Sequence, residues 1–171
     1  MRDLVSSLFS AGRSRGVALA GGGMVTLCLG GKATALALFG KGVMEIEKAW
    51  RTAHPEFSGG LKQRWDQAVA FYEATHRDPT NRALHIAGIP LILSGAIGLI
   101  VWPRYTAPWW LANGSFLLGW AMNLVGHAFF EKNRPAFADD PLSFVAGPVW
   151  DARQWYRLLF AGGRDDREVV S

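Results

Sequence analysis

The chain has 171 residues, a formal net charge of +4, eight tryptophans, one cysteine and an apolar half. A lone cysteine excludes an intrachain disulfide and a thiolate metal cluster. The Lys and Arg residues are scattered without a basic aromatic stripe, which argues against nucleic acid as a partner and favours anionic lipid headgroups.

Residues 1–60 read as an N-terminal extension. Arg2, Arg13 and Arg15 precede VALAGGGMVTLCLGGKATALALF, 17–39, which is apolar apart from Lys32. That stretch is long enough to cross a bilayer, but its glycines and Lys32 weaken it as an independent helix. A basic start, an apolar middle and Ala-Leu-Ala at 35–37 also fit a signal peptide. A single crossing would put three arginines on the wrong side of the membrane, so a re-entrant, interfacial or packing element is expected.

EIEKAW, 45–50, and LKQRWDQAVAFYEATH, 61–76, read as helices; Leu61, Trp65, Ala68, Val69 and Tyr72 share one side of the second. HRDPTN breaks the pattern, with Asp78 as N-cap and Pro79 at the first helical position. Two uncharged runs follow, 86–102 and 109–125, joined by a turn at 103–108. Each is about 17 residues, at the low end for spanning, and a membrane hairpin is favoured over a buried soluble one. Residues 142–160 mix Trp150, Trp155 and Tyr156 with Arg153 and Arg157, as helices in the headgroup plane do; Pro148 should kink or start this one. GGRDDREVVS, 162–171, reads as a disordered tail. The expected fold class is all-α: a membrane-associated helical bundle, 61–161, built around a transmembrane helical hairpin.

Counting from the middle of the turn, His85 lies about 20 residues back and His127 about 21 forward, so both sit ~30 Å from it and at one depth. His76 is just across the HRDPTN break, and Glu131 follows His127 by one turn. Three imidazoles and a carboxylate at one interface suit Fe(II), Zn(II) or Mn(II). Each residue also has a plain reading. His127 and Glu131 could be a solvated pair, His85 an interfacial histidine, His54 a surface loop residue, and Tyr72 a packing residue. Asn81 could be a polar first-turn residue or order a neighbouring histidine, and Arg134 could mark the cytoplasmic edge. Arg77, Arg82, Lys132 and Arg134 flank the histidine end against only Arg104 at the turn, which places the site on the cytoplasmic side. A bis-histidine haem b on His85 and His127, and a non-enzymatic lipid-binding protein, are the competing readings.

FYEATHRDPTNRALHIAGIPLIL and VGHAFFEKNRPAFADDPLSFVAGPVW carry Tyr-x-x-x-His, Asn-x-x-x-His and Gly-His-x-x-x-Glu with a following Arg-Pro-Ala. Over about residues 65–160 the chain resembles the family of small membrane proteins that includes the fungal 2-hydroxy fatty acid dioxygenase of α-oxidation. The resemblance implies an Fe(II)-dependent dioxygenase in a bacterial inner membrane, shortening long-chain 2-hydroxy fatty acids by one carbon with molecular oxygen; a homo-oligomer is a further expectation. It implies His76, His85 and His127 as iron ligands, with Glu131 as a further ligand or supporting partner. It also implies Arg134 and Tyr72 beside the substrate and Asn81 behind a ligand. The fungal member has an additional histidine between the two motifs; this chain has none between His85 and His127.

Overall fold

Glycine divides the N-terminal apolar run. In the computed structural model, which describes residues 2–156, helix α1 (Arg2–Cys28) ends inside that run and α2 (Lys32–Ala53) begins after a three-residue turn. Gly30 sits at φ +84°, a left-handed conformation that glycine adopts at no steric cost. Its N–H and that of Gly31 return to Leu27 O and Thr26 O, satisfying carbonyls at the end of α1. The run at 17–39 is therefore a helical hairpin, a packing element rather than one crossing. Its helices touch closely: a Cβ at Gly42 would fall 2.7 Å from Gly16 O. The doubling back also removes the conflict over the arginines. Arg13 pairs with Asp139 at 2.6 Å, at the histidine end of the molecule.

Four further helices follow: α3 (Leu61–Thr75), α4 (Pro79–Val101), α5 (Ala107–Val125) and α6 (Ser143–Tyr156). Asp78 caps α4 as its side-chain Oδ1 accepts from Thr80 N at 2.8 Å and Asn81 N at 3.1 Å. Helices α4 and α5 pack antiparallel at near-backbone contact, since a Cβ at Gly95 would lie 2.6 Å from Phe116 N and 2.7 Å from Ala112 O. The connector falls where the sequence places it, between Val101 and Ala107. The helices are longer than the apolar runs that announce them, about 34 and 28 Å at ~1.5 Å per residue. Among the described residues, only α4 is long and apolar enough to cross a membrane by itself. Both helices nevertheless leave apolar side chains exposed, Leu93, Ile97 and Val101 on one and Leu111, Leu117 and Leu118 on the other. An apolar surface of that extent is built to meet lipid or another protein.

The two hairpins dock at their turns. Lys32 Nζ donates to Ile100 O at 2.7 Å and Trp102 O at 2.8 Å, satisfying carbonyls that the end of α4 leaves open. Asn113 Nδ2 donates to Cys28 O at 2.9 Å, and Leu27 and Ala35 join Ile92, Leu99, Trp109 and Phe116 in one core. At the opposite end the weld is ionic. The Arg64 guanidinium, 1% exposed, takes Asp140 in a two-pronged contact at 2.8 and 2.7 Å and Glu47 at 2.8 Å. It also lies 3.7 Å over the Trp50 ring. Helix α2, helix α3 and the segment before α6 are thereby held at one point. Helix α6 starts at Ser143, with Pro148 inside it; residues 157–171, including the expected tail, lie outside the described residues.

Candidate metal centre

Three different local structures deliver the three histidines. His76 is the C-cap of α3, His85 sits in the second turn of α4, and His127 lies on a π-helical turn, Gly126–Glu131, that continues α5. Their rings converge with centroids 4.6, 4.8 and 4.9 Å apart and interplanar angles of 80–88°, each pair nearly edge-on. All three are buried, and one nitrogen from each lies within 4.8 Å of the others. The equal depth expected from counting along the hairpin is what the structure has.

The other nitrogens explain the orientation. His76 Nδ1 meets Tyr72 O at 2.8 Å, His85 Nδ1 meets Asn81 O at 2.9 Å, and His127 Nδ1 meets Asn133 Oδ1 at 2.6 Å. Each acceptor requires a proton on Nδ1, which leaves the Nε2 lone pair bare. His76 Nε2 is buried without a hydrogen-bond partner. Burial, reinforced by neighbouring His85, pushes the His76 pKa down to about 3, and burial also lowers that of His127. Neutral imidazoles with oriented, unpartnered nitrogens are the form that binds a divalent metal, and outer acceptors of this kind fix such ligands. The residues fit a metal ion.

Asn133 was not legible as a site residue, because six positions after His127 it falls on another face of an ordinary helix. The π-helical turn and Lys132 at φ 56° fold the chain back so that it reaches the ring. Its amide also donates to Thr75 O at 2.9 Å, beside His76. Asn133→Ala should weaken metal affinity by about 10- to 100-fold with the helices intact, measured by metal titration. Asn81 supports His85 through its backbone carbonyl rather than its amide. Its fully buried side chain packs on Gly126, and Asn123 packs likewise on Gly88. These reciprocal contacts bring α4 and α5 together beside the triad.

The remaining expected site residues stand outside the cluster. Glu131 Oε1 accepts from Asp78 N at 2.9 Å, joining the loop after His76 to the π-helical turn. Arg134 is exposed. His54 turns its Nδ1 to Trp50 O at 2.8 Å, away from the triad. Tyr72 does touch the site: its buried ring stacks on His76 with centroids 3.8 Å apart, while its hydroxyl donates to Asp151 Oδ2 at 3.0 Å. Burial raises the Tyr72 pKa, so the phenol keeps its proton.

Asp151, 3% exposed, has its pKa raised to about 6, chiefly by burial and despite the Tyr72 hydroxyl and Arg82. Its folded pKa lies above the ordinary carboxylate value of ~3.9. In the metal-free protein the contribution of this group to stability is therefore fully present below pH ~4, and about 2–3 kcal/mol of it is lost between pH ~4 and 6. Asp151→Asn, which keeps an oxygen for Tyr72, should raise the melting temperature at pH 8 and leave it unchanged at pH 4.

The triad heads a cavity of about 570 Å³, including its open mouth. The wall is largely apolar, with Ile89, Ile92, Leu93, Trp120, Phe137 and Phe144 prominent, and among the described residues no Lys, Arg, Asp or Glu lines it. Ile92 lies seven residues beyond His85, so the apolar slot runs ~10 Å along α4 from the metal-binding end.

In comparison with known proteins, the family model described as 2-hydroxy-palmitic acid dioxygenase Mpo1-like matches residues 63–158. No curated protein and no solved structure matches the chain.

Proposed function

Since the chain belongs to the Mpo1-like family, whose model covers more than half of it, we propose that it is an iron-dependent dioxygenase that shortens long-chain 2-hydroxy fatty acids by one carbon. The observation that carries this reading is one cavity with three bare imidazole nitrogens at its head and an apolar wall behind them. His76, His85 and His127 would hold Fe(II), which when bound supplies oxygen activation and Lewis acidity. Three neutral donors would leave the ion's charge uncompensated in apolar surroundings, and among the described residues no acidic side chain lines the cavity. A substrate carboxylate meets that demand, and its acyl chain matches the slot along α4. Tyr72, Asn81 and Asn133 hold the imidazoles in register, and the apolar wall keeps water from the reacting end. Arg134, exposed and next in sequence to Pro135 of the wall, would receive an anionic head on its way to the cavity. Arg13, Arg77, Lys132 and Arg134 gather at the triad end, which agrees with a site on the cytoplasmic face of a bilayer.

The same geometry weighs against a bis-histidine haem. The His76 ring lies 4.6 Å from His85 and 4.8 Å from His127, in the space a porphyrin between those two ligands needs. The test is oxygen uptake by detergent-solubilised, Fe(II)-loaded protein on adding 2-hydroxypalmitate, with palmitate as control. Uptake that requires both iron and the 2-hydroxyl supports the reading. Tightly bound metal without uptake overturns the substrate.

A further inference from the structure

Two polar side chains of the cavity wall have no role in the triad. Ser143, 3% exposed, begins α6 and leaves its Oγ without a hydrogen-bond partner. Asn123, 7% exposed, leaves its Oδ1 equally unpartnered against Gly88. Both line the cavity that the histidines head. Buried hydroxyl, amide and indole groups are ordinarily satisfied; with the unpartnered Trp120 Nε1 on the same wall, three orphans on one largely apolar surface call for a ligand.

Their placement says which part of a ligand they serve. Asn123 precedes His127 by one turn, and the Gly88 it packs on follows His85 by three residues. Ser143 precedes Gly147 by one turn, and the backbone at Gly147 abuts the Tyr72 ring that stacks on His76. Asn123 therefore stands about one turn, ~6 Å, from His127, and Ser143 one turn from the Gly147–Tyr72 contact that backs His76. They lie where an acid seated at the triad has its first carbons, not its tail.

We propose that Ser143 and Asn123 form a neutral subsite for the oxygen-bearing head of a fatty acid, and that they distinguish an acid hydroxylated next to its carboxylate from a plain one. This rests on the fatty-acid reading of the cavity above. The Ser143 hydroxyl both donates and accepts, and the Asn123 amide offers one donor and one acceptor end. Neither carries charge, so they recognise the hydroxyl without competing with the metal centre for the carboxylate. A site that hydrogen-bonds a substrate hydroxyl disfavours the analogue lacking it, because its polar groups are then buried unpaired.

The experiment is displacement of a fluorescent C16 acid from metal-loaded protein by 2-hydroxypalmitate and by palmitate, with metal content and melting temperature measured on the same samples. Wild type should prefer the hydroxy acid. Ser143→Ala should reduce that preference by roughly three- to tenfold, the worth of one neutral hydrogen bond, with metal content unchanged and palmitate bound no more weakly than by wild type. Because Oγ has no partner inside the protein, this variant should melt no lower than wild type; a purely structural serine would lower it. Asn123→Ser provides a second reading of the same preference. An unchanged preference in both variants overturns the subsite alone. Failure of wild type to bind either acid overturns the fatty-acid cavity and the subsite with it.

Discussion

Replacing His127 with alanine is expected to cost the centre its metal and abolish iron-dependent oxygen uptake, while the helices stay in place. The three imidazoles are the only group of three His, Cys, Asp or Glu donors gathered within 4.8 Å of one another among the described residues. Two nitrogens on α4 and its preceding loop cannot hold a divalent ion as three do. Loss of an outer hydrogen bond to a ligand costs 10–100-fold in affinity; loss of the ligand should exceed about 100-fold. The fold has little stake in this ring. Its Nδ1 bond to Asn133 is the one hydrogen bond it makes, and the backbone turn around it is kept by Lys132 N and Asn133 N on His127 O. The metal-free variant should keep its circular dichroism and lose on the order of 1 kcal/mol of stability. Metal content measured by elemental analysis decides the matter: full occupancy in His127→Ala would remove the triad as the binding site.

The largest effect on stability is expected at Arg64. Arg64→Leu should destabilise the protein by about 3–5 kcal/mol, read by thermal unfolding in detergent. The substitution leaves Asp140, 3% exposed, without its guanidinium. It also removes the cation stacked on Trp50 and one of the two cationic partners of Glu47, the other being Arg51. Breaking a buried pair from one side leaves an uncompensated charge, which costs far more than the pair itself contributes. Lys62→Ala is the control, since its bond to Asp66 is exposed and such pairs on helices contribute about 0.3–0.5 kcal/mol. A loss as small as that control's would mean Asp140 finds water or another partner. The clamp also reaches the site: Asp140 stands between Ala136 and Ser143 of the cavity wall. Residues 1–60, outside the family match, thus help position the segment that closes the cavity.

The helices and the depth of the histidines could be read from the chain because they depend on local counts. Periodicity marks α3, the Asp78-Pro79 pair marks the start of α4, and a fixed rise per residue brings His85 and His127 level. What could not be read depends on backbone exceptions or distant partners. An apolar run does not show where it reverses; the arginines and glycines argue against a single crossing, but only the positive φ at Gly30 fixes the hairpin. The π-helical turn rotates everything after His127, so the supporting residue is Asn133, while Glu131, at proper helical spacing, serves the Asp78 loop instead. Arg64 and Asp140 are 76 residues apart, and nothing near either announces the other.

The rim of the cavity bears on how rates should be measured. Leu93 and Leu124 line it and are also about half exposed, at 43% and 50%, on the apolar outer surface of α4 and α5. A ligand dissolved in lipid meets that opening sideways, by diffusion in two dimensions, without first passing through water. Its effective concentration is then its mole fraction in the bilayer or micelle. Turnover should follow that surface fraction, falling when neutral detergent is added at constant total substrate and holding steady when the whole suspension is diluted.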